Sequence, residues 1–231
     1  MLDGFKRLFT GSGGPAPALA EIEAWASGRR CVFKAVPSDD GFVVDGRSGT
    51  VGWRLEWGPS QRPYIHGGEL RLRAELGLAK ELQVLLMNQQ LQESLEKAMF
   101  EQFVEEVQTR LDNETPPEMR WLVMLHKLPG QDLGKLRDRF VALGNAKPWV
   151  QHWLEGALSL SLGSMRVEPD VPFVVMISRG RLTLRRALDD PDPRELEQMV
   201  RVFDTAIREA ARVTGQGVST ESPPPPDLAI D

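Results

Sequence analysis

Apolar residues recur along this chain with two different periods, and the change between them divides it. Val51, Trp53, Leu55 and Trp57 alternate with Gly52, Arg54 and Glu56, and Leu70, Leu72, Ala74 and Leu76 alternate with Glu69, Arg71, Arg73 and Glu75. Successive side chains of a strand point to opposite faces, so each stretch predicts a half-buried antiparallel strand. Cys31 to Val36 and Gly41 to Val44 are rich in β-branched and aromatic residues and predict two more strands. Asp39-Asp40-Gly41, Asp45-Gly46 and Ser48-Gly49 read as the turns between them, because Gly tolerates positive φ and Asp bonds its own backbone. A short helix over Ala18 to Ala26, with Leu19, Ile22 and Trp25 at helical spacing, precedes these strands, and Leu82 to Met87 is a further strand candidate.

From there the spacing becomes helical. Leu91, Leu95, Met99, Phe103 and Val107 recur every fourth residue, with Phe100, Val104 and Leu111 widening the stripe, which predicts a long helix over Asn88 to Leu111. Met119 to Leu128 is nearly continuous in apolar residues, so periodicity does not arbitrate, and we read it as a strand. Phe140 to Leu143 reads as another short strand. Trp149, Val150, Trp153, Leu154, Ala157, Leu158 and Leu162 trace a helix starting near Pro148. Pro172 to Leu188 reads as a hairpin turning at Ser178-Arg179-Gly180. A last helix over Pro193 to Val213 begins at Asp192-Pro193 and carries Leu196, Met199, Val200, Phe203, Ile207, Ala210 and Ala211 on one face.

Strands first, then a long helix, a mixed segment, a hairpin and a closing helix predict an α+β protein: antiparallel sheet from an N-terminal β-rich region and a C-terminal hairpin, packed by a central and a C-terminal helix. Residues 1–17 read as an amphipathic segment and Gly/Pro/Ser linker, 18–213 as the globular body and 214–231 as a mobile tail containing Pro223 to Pro226. The body is one unit or two lobes, 18–113 and 114–213; no internal repeat decides between them.

With 231 residues, 41% of them hydrophobic, the chain has the material for a real core. Its net charge of −5 argues against a protein whose main task is neutralising phosphate backbones, and there is no strong nucleic-acid signal. The single cysteine, Cys31, makes no intrachain disulfide and reads as a small residue of a buried strand in a reducing, cytoplasmic protein. No apolar run approaches the roughly 20 residues that span a bilayer.

Three separated histidines, His66, His126 and His152, offer no metal-ligand spacing, no glycine-rich loop follows a strand with a lysine, and Ser60 and Ser178 lack a nucleophile-elbow pattern. We expect no metal, no cofactor and no catalytic residue. Two groups of residues remain as candidates. Arg62, Tyr64 and His66, in a strand–turn–strand unit with Trp53 and Trp57, form a candidate ligand site completed by Arg71 and Arg73. Arg179, Arg181, Arg185 and Arg186 form a second basic patch in which Arg181 and Arg185 share a strand face, suited to a phosphate, a carboxylate or an acidic partner. A plain solvated face, balanced by Glu69, Glu75 and Asp189, is the competing reading of the basic patch. In the first group Trp53 and Trp57 read as core, whereas Arg62, Tyr64 and His66 are less easily explained without a ligand.

These features favour a non-enzymatic interaction or regulatory module with a protein partner. The alternative is a small-anion or ligand binder, or an enzyme, with an unfamiliar site near Arg62, Tyr64 and His66. Peripheral membrane contact through Leu2, Phe5, Leu8 and Phe9 is at most weak. Oligomeric state is not legible.

Overall fold

The computed structural model describes residues 17–36, 41–105, 115–166, 168–215 and 217. The expected N-terminal segment, the Asp39-Asp40 turn, the long helix beyond residue 105 and the tail from 218 lie outside them.

The chain opens with α1 (Pro17–Gly28) and a four-stranded meander, β1 (Val32–Val36), β2 (Gly41–Ser48), β3 (Val51–Pro59) and β4 (Gly68–Glu75). β5 (Val84–Asn88) leads into α2 (Gln89–Glu105), followed by α3 (Pro117–Met124), the short β6 (His126–Lys127), α4 (Gly130–Leu133), a 3-10 turn and β7 (Phe140–Gly144). Then come α5 (Lys147–Leu154), α6 (Ala157–Ser164), the hairpin β8 (Phe173–Ser178) and β9 (Arg181–Ala187), and α7 (Pro193–Gly215). The protein is α+β, as the segregation of strands and helices predicts. Among the described residues nine strands form one sheet in the order β1-β2-β3-β4-β9-β8-β5-β7-β6, paired antiparallel throughout. The late hairpin is inserted between β4 and β5.

Alternation along the strands separates two faces. The inner face carries Phe42, Trp53, Leu55, Leu70, Leu72, Val175, Ile177, Leu182 and Leu184, packed against Ile22, Trp149, Trp153, Leu158 and the α7 stripe of Met199, Phe203 and Ile207. Trp53 and Trp57 belong to this side: Trp53 is buried, and Trp57 stacks on Phe42 at 5.6 Å while its indole N–H donates to the Leu188 carbonyl at 2.7 Å. On the outer face the sheet changes character from strand to strand. Across β8, β5 and β7 it presents Val174, Met176, Leu85, Met87, Val141 and Leu143, covered by Leu91, Leu95 and Met99 of α2 and Met119 and Trp121 of α3. Across β3, β4 and β9 the same face presents Arg54, Glu56, Glu69, Arg71, Arg73, Arg181 and Arg185.

Several local expectations are corrected. Met119 to Leu128 is α3 followed by β6, not a strand. Pro116-Pro117 starts the helix, which buries Glu118, Met119 and Trp121 and leaves Val123 and Met124 59% and 67% exposed. Its apolar run is therefore only partly core, which is why composition misleads there. The predicted helix from Pro148 through Leu162 is two, broken where Gly156 takes φ +65. Asp45-Gly46 is no turn: β2 runs on to Ser48, and Gly46 is needed because the Trp53 indole occupies the place of its Cβ, a ring atom lying only 2.2 Å from that point. Asn88 ends β5 rather than opening the helix, and Phe100, assigned to the apolar stripe, is 69% exposed. Cys31 precedes an edge strand, not a buried one, and is itself only half-buried.

The hairpin and the last helix form as the pattern predicts. Arg179 (φ 52) and Gly180 (φ 78) both adopt the left-handed conformation of a two-residue turn. The Asp192 carboxylate accepts the backbone N–H groups of Arg194 and Glu195 at 2.6 and 3.0 Å, capping α7.

Candidate functional site

The β3–β4 connection, the α2 N-terminal half and the start of α3 enclose an open cleft of about 830 Å³ at one end of the sheet. Pro63, Tyr64 and His66 form one wall; Leu91, Ser94, Leu95 and Ala98 form a second along α2; Pro116 and Met119 form a third. Positions 91, 94, 95 and 98 share one side of a helix because they are three, four and seven residues apart.

Beneath the Tyr64 wall lies a buried network of charges. Glu118, fully buried at the start of α3, accepts hydrogen bonds from the Arg62 guanidinium and the Tyr64 hydroxyl. Glu69, also fully buried, is bonded by Arg185, lies 3.5 Å from the Arg71 guanidinium and accepts the Gln61 backbone N–H at 2.7 Å. Arg71 and Arg185 sit directly opposite each other on β4 and β9. Two like charges in that position repel, and the carboxylate between them is what makes the pairing tolerable. Glu56 continues the network, 3.6 Å from Arg71 and 2.5 Å from Arg73. Burial disfavours the charged form of Arg62, yet the carboxylate of Glu118 outweighs it and the guanidinium pKa is raised. For Tyr64, burial first and the Glu118 charge second push the hydroxyl far above its ordinary range, so it stays protonated and committed to Glu118.

Arg62, Tyr64 and His66 are thus brought together on one loop, with His66 exposed at the cleft. Arg71 joins the same network through Glu69. Arg73 is linked to it only through Glu56 and lines a depression at the other end of the sheet, not the cleft. The second predicted patch is divided as well. Arg185 belongs to the Glu69 network, Arg181 pairs with Glu75 at 2.5 Å towards the far end of β9, and Arg179 sits at the hairpin apex. Arg186 points to the inner face, buried, with one nitrogen 2.9 Å from Glu195 of α7.

Sequence reasoning missed Glu118 and treated Glu69 as a solvated counter-charge. The only signal for Glu118 was an acid behind a double proline, indistinguishable from an ordinary helix-start carboxylate. Among the described residues no group of three or more His, Cys, Asp or Glu side chains is placed to hold a metal ion, and no helix is long and apolar enough to cross a membrane. Neither a family model nor a curated protein nor a solved structure matches the chain, so the site is interpreted from its own geometry.

Proposed function

We propose that the protein is a non-enzymatic binding module that holds an amphipathic helical segment of a partner protein in the cleft beside α2. One observation carries this reading: the arginines behind the cleft are all held by buried carboxylates, while most of the surface it offers is apolar, with His66, Gln90, Thr115 and Asp170 as polar groups around it. Leu91, Leu95 and Met119, mostly buried against the sheet, give the cleft an apolar floor through the edges they leave accessible. The small, exposed Ser94 and Ala98 let another helix approach closely, as in grooves that take the i, i+3, i+4, i+7 stripe of a ligand helix. A small-anion site would need a cation free to face the ligand, and Arg62, Arg71 and Arg185 are not free. Catalysis by Tyr64 is disfavoured for the same reason, since its proton is engaged and its pKa lies far from neutrality. A lone cysteine fits residence in the reducing cytoplasm.

A second reading, a small apolar ligand, draws support from the cleft volume, which lies inside the roughly 300–1,000 Å³ typical of ligand pockets. Panning a random peptide library against the whole chain separates the two. The helix reading expects enriched peptides with apolar residues at helical spacing, whose binding is lost in Ala98→Arg at an unchanged melting temperature. No enrichment, or peptides that bind Ala98→Arg as tightly as the parent, would overturn it.

A further inference from the structure

At the far end of β3, β4 and β9, away from the cleft, the outer face sinks into a shallow depression of about 560 Å³. Arg30, Arg47, Arg54, Arg73 and Arg181 line it, against the two carboxylates of Asp45 and Glu75. Gly52 contributes to its hollow, because a side chain there would meet nothing within 4 Å. Three of these arginines are already oriented. Arg54 bonds Asp45 through Nε and Nη2 at 2.7 and 3.1 Å, Arg181 donates Nε to Glu75 at 2.5 Å, and Arg73 leans on Glu56 at 2.5 Å. Each guanidinium carries five N–H donors, so each keeps donors to spare, and these side chains remain 43%, 53% and 46% exposed. Arg47 donates to the Thr50 carbonyl at 2.8 Å, and among the described residues neither Arg47 nor Arg30 has a carboxylate within 4.0 Å.

A second observation is independent of charge. Among the described residues only two that are not glycine have positive φ, and both are arginines at this end of the sheet: Arg30 (φ 59) and Arg179 (φ 52). Glycine or asparagine would adopt that conformation at lower cost. Arg30 closes α1 in this conformation, with the Cys31 N–H donating to the Ala26 carbonyl at 2.9 Å, and so an arginine lines the depression at a position where glycine or asparagine would serve the backbone better.

We propose that this depression is a docking site for an acidic polypeptide segment, bound through several carboxylates at once. The depression is too shallow to strip a lone ion of its water, whereas a chain of carboxylates engages spaced guanidinium forks simultaneously. A nucleic acid fits less well. The aromatic ring at the depression, Trp53, is 4% exposed and turned into the core, so no face is offered to a base. The site is separate from the cleft, and neither proposal depends on the other.

Fluorescence anisotropy with a labelled peptide of alternating Glu and Gly, run beside a labelled oligothymidylate of equal length, tests the proposal on the whole chain. The peptide binds at low salt, weakens as salt is raised, and binds more tightly than the oligonucleotide. Arg30→Asn combined with Arg47→Gln weakens it about tenfold, as expected for losing two charged donors, although Arg30→Asn on its own raises the melting temperature. Glu75→Gln strengthens peptide binding, which a damaged fold does not do. Absence of peptide binding, equal or tighter binding of the oligonucleotide, or an unchanged affinity in the double variant overturns the proposal.

Discussion

The residue that most shapes the candidate site is Glu118. A carboxylate with no exposed surface carries a heavy desolvation cost, which is offset only while Arg62 and Tyr64 point at it. Removing it leaves a largely buried guanidinium without its counter-charge and frees the loop that forms one wall of the cleft. Glu118→Ala is expected to cost about 3 kcal/mol, towards the lower end of the range for broken buried pairs because Arg62 is 17% exposed and partly rehydrates. Replacing both partners with apolar residues, Arg62→Met and Glu118→Leu, recovers much of that loss. Urea unfolding of the single and double variants decides it, and a double variant no more stable than Glu118→Ala would show that the pair is not the cause. Asp45 behaves in a milder way. Its hydrogen bonds from Arg54 hold its carboxyl below the ordinary range, despite some opposing burial. A folded-state pKa below the unfolded value of about 3.9 gives stability that is present above that pH and lost as pH falls through the folded pKa. Asp45→Asn should therefore be less stable than the parent at pH 7, by up to about 1 kcal/mol for a part-exposed pair, with the two urea midpoints converging in acid. At this scale the sequence was legible where chemistry is local and illegible where it is not. Arg62, Tyr64 and His66 could be marked as unusual because they lie together in the chain, but Glu118 is 56 residues from the arginine it neutralises.

Elements were legible where the apolar period is clean and turn residues punctuate it. β3, β4 and α7 lie close to where alternation and the helical stripe place them, since burial of one face is what both patterns encode. α3 was misread because its exposed Val123 and Met124 fill in what would be the polar side of a helix. Gly46 was misread because a glycine beside an aspartate signals a turn, whereas here a cross-strand indole requires it. In the β8–β9 turn, Arg179-Gly180 takes a conformation for which Asn-Gly is the favoured pair. Arg179→Asn relieves the left-handed strain of a long side chain and should stabilise the protein by about 0.5 kcal/mol, a fraction of the cost of that conformation. Guanidinium unfolding with an unchanged denaturant slope and a raised midpoint is the expected result, and a lowered midpoint would mean that the Arg179 side chain makes a contact worth more than the strain.

For the molecule as a whole, the sequence left open whether residues 18–113 and 114–213 form separate lobes, because adjacency between strands far apart in the chain has no local signature. The sheet interleaves the two stretches. β9 pairs with β4 and β8 pairs with β5, so both strands of the late hairpin are bonded to strands from the first stretch. β5 in turn lies between β8 and β7, and without it the second stretch is left with two disconnected hairpins. The core is shared in the same way: Met199, Phe203 and Ile207 of α7 pack in one cluster with Phe42, Leu55 and Leu72 of the meander. A fragment of residues 17–113 would expose that inner face and the free edges of β4 and β5, and a fragment of 114–217 would bury little of α7. Folding of either alone must meet the full chain-ordering cost with part of the apolar burial that normally offsets it. Each fragment is therefore expected to give poorly dispersed amide spectra and no cooperative thermal transition, while co-expression of the two restores both. A sharp, cooperative melt from isolated 17–113 would show instead that the meander is self-sufficient and that the inserted hairpin docks onto a preformed sheet.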